Sequence, residues 1–185
     1  MKYFLTLVIT LFFSISTTQQ IAGKGQLEIT VSYERQGGIG SNQYAIWIEN
    51  AQGELVKTLF VTNFTAKGGY SFRPDCTPTW VNKANPASLS EQGVDAFSGA
   101  TPQTGDHTYT WDLTDVKGHQ VTAGEYTFYV EGTLTLGNNS TVLFKDVISV
   151  GDNIVSVDPK PEFSSDDTQN KGMIISVKAT YLPSN

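Results

Sequence analysis

Along most of this chain, hydrophobic and polar residues take turns. Leu27, Ile29, Val31 and Tyr33 alternate with Glu28, Thr30, Ser32 and Glu34, the period of two expected of a strand with one buried face. Residues 44–49 give a second strand and residues 55–62 a third. Between them Asn50-Ala51-Gln52-Gly53 supplies a turn, so this pair predicts a hairpin. Residues 108–113, 125–136, 140–150 and 173–182 are four further strand candidates. Asn138-Asn139 marks a tight turn before the sixth of the seven. At least seven short strands, with no long stretch of helical period, predict an all-β fold, an antiparallel β-sandwich.

The alternation stops at two places. Residues 63–106 are rich in Gly, Pro, Ser, Thr and Asn, and residues 80–89 within them suit a short helix. An irregular insertion this long in a compact domain often carries function. Residues 158–171, with Pro159 and Pro161 among several Ser and Asp, read as a solvated connection. Between the breaks, Trp111, Asp112, Asp115, Gly118, Val121, Gly124 and Tyr126 read as a hairpin. Its turn is Asp115 to Gly118, its bulge Gly124, and Trp111 and Tyr126 pack across the pair. Trp47, Gly53 and Val56 partly echo this spacing. Ordinary similarity between hairpins accounts for the echo.

The first 22 residues change the picture from a domain to an exported domain. Lys2 precedes the apolar run 4–13, and small and polar residues follow. That is the order of a secretory signal peptide, and the run is much shorter than the ~20 residues of a membrane span. Residues 23–185 then form one domain, of a size that buries a core without disulfides. The single cysteine, Cys76, excludes an intrachain disulfide and reads as a buried, inert thiol. The net charge of −6 becomes −7 when the leader takes Lys2, its one charged residue, with it. An acidic chain without a Lys/Arg cluster is repelled by nucleic acid, so no nucleic-acid partner is expected, and no membrane span in the mature chain.

Chemistry is concentrated in one run, Asp95-Ala96-Phe97-Ser98-Gly99-Ala100-Thr101. Three small residues, Ser98, Gly99 and Ala100, precede the hydroxyl of Thr101, and the carboxylate of Asp95 stands six positions ahead. Such a segment makes a thin loop that offers its hydroxyl to a second protein, with Gly99 free to take unusual backbone angles. A plain surface connection is the alternative, since these are ordinary loop residues. No Lys or Arg lies between Lys83 and Lys117, so no cation is near in sequence. Elsewhere little adds up. His107 and His119 lack the spacing of metal ligands. Asp112, Asp115, Glu125 and Glu131 cluster in sequence as strand-edge and turn carboxylates rather than as an acid/base pair. Gln36-Gly37-Gly38-Ile39-Gly40 precedes no helix, and no nucleophile elbow or phosphate-binding loop occurs. No catalytic set is expected, and the chain reads as a non-enzyme.

Three features together carry a family resemblance: the strand Ala45-Ile46-Trp47-Ile48-Glu49, the D-x-x-S-G-A-T run, and residues 111–131. With them the mature chain resembles a bacterial family of predicted periplasmic proteins, domain of unknown function 2271. The W-D-x-x-D-x-x-G-x-x-V-x-x-G-x-Y spacing is also similar to the immunoglobulin-like repeat of the flagellar hook-capping protein, which implies an immunoglobulin-like sandwich with a loop and short-helix insertion at about 63–106. The run 95–101 resembles the flavinylation segment of sodium-pumping quinone reductase subunits. That resemblance implies covalent flavin mononucleotide (FMN) on Thr101, with Asp95, Ser98, Gly99 and Ala100 read by a flavin transferase. Pro102-Gln103-Thr104 departs from the usual continuation and makes Thr104 a second candidate. Members of the family are similar to proteins encoded beside flavin transferases and membrane electron-transfer proteins. The implied role is an exported accessory of a periplasmic flavin-linked electron-transfer system, with aromatic side chains, Trp80 and Phe97 first, lining a concavity for the ring. The alternative is a non-catalytic immunoglobulin-like module, without cofactor, that binds a protein partner through residues 63–106.

Overall fold

The computed structural model describes residues 25–37, 41–134, 141–164 and 172–184. The leader, Gly38 to Gly40, the Asn138-Asn139 turn and residues 165–171 of the second break lie outside the described residues. Two sheets make a sandwich. One has the order β5-β1-β10-β8 and the other β4-β3-β2-β6-β7-β9. Their strands are β1 (Gly25–Tyr33), β2 (Gln43–Asn50), β3 (Leu55–Thr62), β4 (Ser98–Gly99), β5 (Gly105–Trp111), β6 (Gly124–Thr133), β7 (Thr141–Val150), β8 (Val155–Val157), β9 (Glu162–Phe163) and β10 (Ile174–Pro183). All pairings are antiparallel except β3 with β4, which is parallel.

The alternation in β1 turns Leu27, Ile29, Val31 and Tyr33 inward, where they meet Val177, Ala179 and Tyr181 of β10 and Ile46, Phe128 and Phe144 of the opposite sheet. β2 is buried on both faces along nearly its whole length. Tyr44, Ile46 and Ile48 join the central core, while Ala45 and Trp47 join a second cluster on the far side of the sheet. Pairing of β2 with β3 slips by one residue between Ile46 and Trp47, and again between Ile48 and Glu49. Such bulges increase the local twist of a strand.

The β2–β3 hairpin is present, and the expected turn Asp115 to Gly118 forms, but the strands that carry Trp111 and Tyr126 do not pair across it. Trp111 ends β5 in one sheet, whereas Tyr126 stands in β6 of the other. Their rings meet edge-on at 5.1 Å across the core, between sheets rather than between paired strands. Leu113, left-handed at φ 59°, and a small turn closed by the bridge Thr114–Gln120 carry the chain from one sheet to the other.

The insertion is not an irregular loop. It holds three short helices, α1 (Asn63–Ala66), α2 (Pro78–Ala84) and α3 (Glu91–Asp95), with single 3-10 turns at Gly69–Ser71 and Pro86–Ser88. Trp80, Ala84 and Val94 pack with Phe97 onto Ala45, Trp47 and Val61. The insertion therefore roofs the outer face of the six-stranded sheet. Among the described residues no helix is long and apolar enough to cross a membrane.

Candidate functional site: the strap between the two sheet edges

The run 95–101 begins at the end of α3, whose start is capped by Ser90 Oγ accepting the Gly93 amide at 3.1 Å. Asp95 pairs with Lys67 at 2.8 Å, and Ala96 closes the helix. Phe97 turns toward the roof and meets Trp80 edge-on at 5.9 Å, while its carbonyl accepts the Val61 amide at 3.0 Å. Ser98 and Gly99 then lie parallel to Val61 and Thr62 as β4. Ala100 is exposed, Thr101 half-buried, and Gln103 and Thr104 exposed. At Gly105 the chain joins the other sheet opposite Tyr33. Residues 98–105 are thus a strap from the edge of one sheet to the edge of the other.

Beneath the strap lies an aromatic cluster. Tyr44 packs on Tyr33 and Phe60 with ring centres 5.4 and 5.0 Å apart, and Phe60 packs on Tyr109 at 5.1 Å. The hydroxyls of Tyr44 and Tyr109 are hydrogen-bonded to each other. Burial pushes the Tyr33 hydroxyl up to about 12, so these phenols stay protonated. The cluster explains Gly99 differently from expectation. Gly99 is needed for space rather than for backbone angle, because a Cβ there would sit 2.6 Å from the Phe60 ring.

Thr101 lies in the strap, outside any strand. Its hydroxyl donates to the Asn42 carbonyl at 3.3 Å, rather than pointing freely into solvent as a loop acceptor would. Asn42 in turn clamps Gln36, accepting its amide and donating to its carbonyl, both at 2.8 Å. Thr104, the second candidate, accepts the Arg35 amide at 3.0 Å. His107 Nε2 donates to the Gln103 carbonyl at 2.7 Å.

Two expectations about neighbours change. Trp80 is fully buried and its indole donates to Thr58 Oγ1 at 3.1 Å, so it lines no open concavity. Phe97 does. With Leu55, Leu89, Val116 and the stem of Lys57 it walls an apolar cleft of about 310 Å³ along β3. The second change concerns charge. The sequence has no cation near Thr101, but the fold brings Lys67 to Asp95 and Arg73 to Ser41, whose Oγ accepts from it at 2.7 Å. No local sequence signal marks those two, because they come from the insertion and reach Asp95 and Ser41 only through tertiary packing.

Other groups take structural parts. Glu131 is buried on the outer face, where its carboxylate accepts the Thr79 and Trp80 amides at 3.0 and 2.9 Å. Burial holds it above the usual carboxylate range. Glu49, on the same face but four residues further along β2 than Ala45, the partner of Glu131, accepts the Trp47 indole at 2.8 Å and pairs with Lys83 at 3.2 Å. Asp115 accepts the His119 amide, which is the main reason its carboxyl lies below the usual range. Burial pushes the Cys76 thiol up to about 11, so it is no nucleophile at neutral pH. Among the described residues no three His, Cys, Asp or Glu side chains gather into a metal site.

Fold and site together define an all-β sandwich whose one helical insertion roofs a sheet and ends in a strap across the sandwich edge. The chain belongs to the family of predicted periplasmic proteins known as domain of unknown function 2271, whose model matches residues 24–153. Neither a curated protein nor a solved structure matches the chain. By the family's description the protein is a periplasmic one.

Proposed function

We propose that this protein is an exported accessory of a periplasmic flavin-linked electron-transfer system, carrying FMN covalently on Thr101. The observation that carries the reading is the D-x-x-S-G-A-T run in an irregular strap, with Ala100 exposed and the Thr101 hydroxyl held by one long bond to a backbone carbonyl. Breaking that bond costs about 1 kcal/mol, a small barrier for a transferase that must turn the hydroxyl outward. The apolar cleft beginning at Phe97 fits the remainder of the group.

In the attachment, Thr101 Oγ forms an ester bond to the flavin-side phosphorus of a flavin dinucleotide. The pyrophosphate bond breaks, a nucleoside monophosphate leaves, and the hydroxyl proton passes to the transferase. This chain needs no base of its own, since the transferase and its metal activate the hydroxyl. What the chain supplies is presentation: α3 fixes the start of the run and β4 its middle, and Gly99 lets the strap sit low over Phe60. A bound flavin supplies one- and two-electron chemistry. A covalent tether suits a compartment in which a dissociated cofactor is lost. The partners are then a flavin transferase and a membrane redox protein.

Intact mass of the mature chain, produced with and without a co-expressed flavin transferase, tests the reading. The expected gain is one FMN less one water, abolished by Thr101→Ala. An unchanged mass sinks it.

One observation favours a second reading, a non-catalytic module that binds a protein partner. Phe72 is 86% and Phe64 43% exposed on the insertion, and exposed aromatic side chains are typical anchors of protein interfaces. Under that reading Thr101→Ala leaves partner binding intact, whereas Phe72→Ala weakens it.

A further inference from the structure

Two hollows flank the run 95–101, and they differ in chemistry. The one beside the Lys67–Asp95 pair, about 380 Å³, also includes Glu91, so three charged side chains keep it wet. The other runs along β3, between the insertion and the turn that follows Leu113. Its apolar walls are Phe97, Leu55, Leu89 and the exposed Val116. Its volume of about 310 Å³ is at the lower end of what small-ligand sites occupy, roughly 300–1,000 Å³. β4 pairs only with Val61 and Thr62, so among the described residues no strand covers this flank of β3 from Leu55 to Phe60.

The cleft has one ionisable lining residue, Lys57. Its ammonium donates to Thr114 Oγ1 at 2.8 Å and to the Asp115 carbonyl at 3.1 Å. Among the described residues Lys57 forms no direct ion pair, although Thr114 Oγ1 donates onward to Asp112 Oδ1 at 2.7 Å, so a carboxylate lies one hydrogen bond beyond the ammonium. An apolar slot with an aromatic wall and one ammonium not directly paired suits a flat heteroaromatic ring that gains negative charge. Thr101 stands four residues beyond Phe97, at most about 14 Å along an extended chain. A ring tethered through a ribityl phosphate at Thr101 reaches Phe97 only by folding back along the strap.

We propose that this cleft seats the ring of the Thr101-linked flavin, with Phe97 as its aromatic wall and Lys57 as the residue that sets how readily it takes up electrons. The proposal rests on the Thr101 reading and adds a place and a tuning residue to it. Reduction by two electrons with uptake of one proton leaves one negative charge on the ring. The electrons come from the membrane redox partner, or from dithionite in the test. A fixed ammonium alongside favours the reduced form, so removing it lowers the midpoint potential.

The test uses the full mature chain co-expressed with a flavin transferase, as wild type, Val116→Asp, Lys57→Met and Lys57→Arg. Val116 is 65% exposed, so its replacement leaves the fold intact while placing a carboxylate at the mouth of the cleft. Intact mass reads attachment, and quenching of flavin fluorescence by acrylamide, which is uncharged, reads ring exposure. With flavin attached in all four, Val116→Asp is expected to raise acrylamide quenching several-fold. Lys57→Met shifts the midpoint downward and Lys57→Arg restores it. Equal quenching in wild type and Val116→Asp, with flavin attached, overturns the seat and leaves the Thr101 reading standing. If no chain gains mass, the Thr101 reading fails, and titration of the bare protein with lumiflavin decides the cleft alone. Saturable binding at least tenfold weaker in Val116→Asp keeps it as a ring site; no saturable binding removes it.

Discussion

On the inner face of the six-stranded sheet, Ile46, Phe128 and Phe144 meet the apolar side chains of β1 and β10. On the outer face the same strands carry Glu49, Glu131 and Thr133, all buried, beside Trp47 and Ala45. There the insertion is fastened by directional bonds. Glu131 takes two amides at the start of α2, Thr133 Oγ1 takes the Thr77 amide at 3.2 Å, and Thr58 takes the Trp80 indole. Gln43 Oε1 accepts from Thr62 Oγ1 at 2.5 Å and from Thr65 Oγ1 at 2.9 Å. The inner face works by burial, which tolerates a change of shape better than a change of polarity. The outer face needs named acceptors opposite named donors, because a roof of very short helices brings many backbone groups without helical partners.

The largest break falls on the inner face. Phe128→Ala removes a fully buried ring and is expected to cost about 3–5 kcal/mol, read as a lower denaturant midpoint with unchanged slope. The outer face breaks differently. Glu131→Leu leaves the Thr79 and Trp80 amides without an acceptor, at about 1–3 kcal/mol for each orphaned group. Hydrogen exchange should rise across residues 63–97 while β1 and β10 stay protected. A global loss of protection equal to that of Phe128→Ala would mean that the two faces are one unit.

The pH dependence sharpens the same contrast. Burial raises the Glu131 carboxyl in the folded protein above its unfolded value, so the folded state holds this proton more tightly. Its contribution to stability is fully present below the unfolded carboxylate range and is lost as pH rises through the raised folded value. Opening of the insertion, corrected for intrinsic exchange rates, should become easier over that rise, and Glu131→Gln should flatten the dependence.

The inner face was legible in the sequence because burial on one side writes a period of two. β1, β2 and β3 fall within two residues of where the alternation puts them. β4, β8 and β9 are only two or three residues long, too short for any period to show. The roof was not legible as a roof. Three of its fastening donors, the Thr77, Thr79 and Trp80 amides, are backbone groups, which every residue has, and their acceptors arrive from a strand 50 or more residues away. Trp111 and Tyr126 were paired correctly and placed wrongly, since a contact between sheets and one between strands leave the same two aromatics around the same turn. At the strap, the composition of residues 98–101 was visible, but the Phe60 ring that requires Gly99 was not. Nor were the bond from Thr101 to Asn42 and the burial of Trp80.

The strap joins the two faces, and Gly99→Ala probes that junction. The new methyl meets Phe60, which is confined between Tyr44 and Tyr109. Overpacking of this kind costs about 1–3 kcal/mol. Thermal unfolding should show it, and Phe60→Leu in the same chain should recover part of the loss. Full additivity of the two changes would show that the ring does not confine the strap.

The smallest effect on stability is expected at Asp95. Asp95 and Lys67 are 52% and 53% exposed, where water screens the attraction and holding two side chains in one geometry costs entropy. Asp95→Asn should leave the unfolding midpoint where it is, in contrast to the buried carboxylate of Glu131. Its effect on flavin loading is a separate matter. If a transferase reads Asp95 as the leading acid of the run, Asp95→Asn lowers the mass-shifted fraction at an unaltered melting temperature. A drop in both together would place Asp95 among the fastenings of the roof. A melting temperature and a flavin load that both hold would show that loading does not depend on the Asp95 carboxylate.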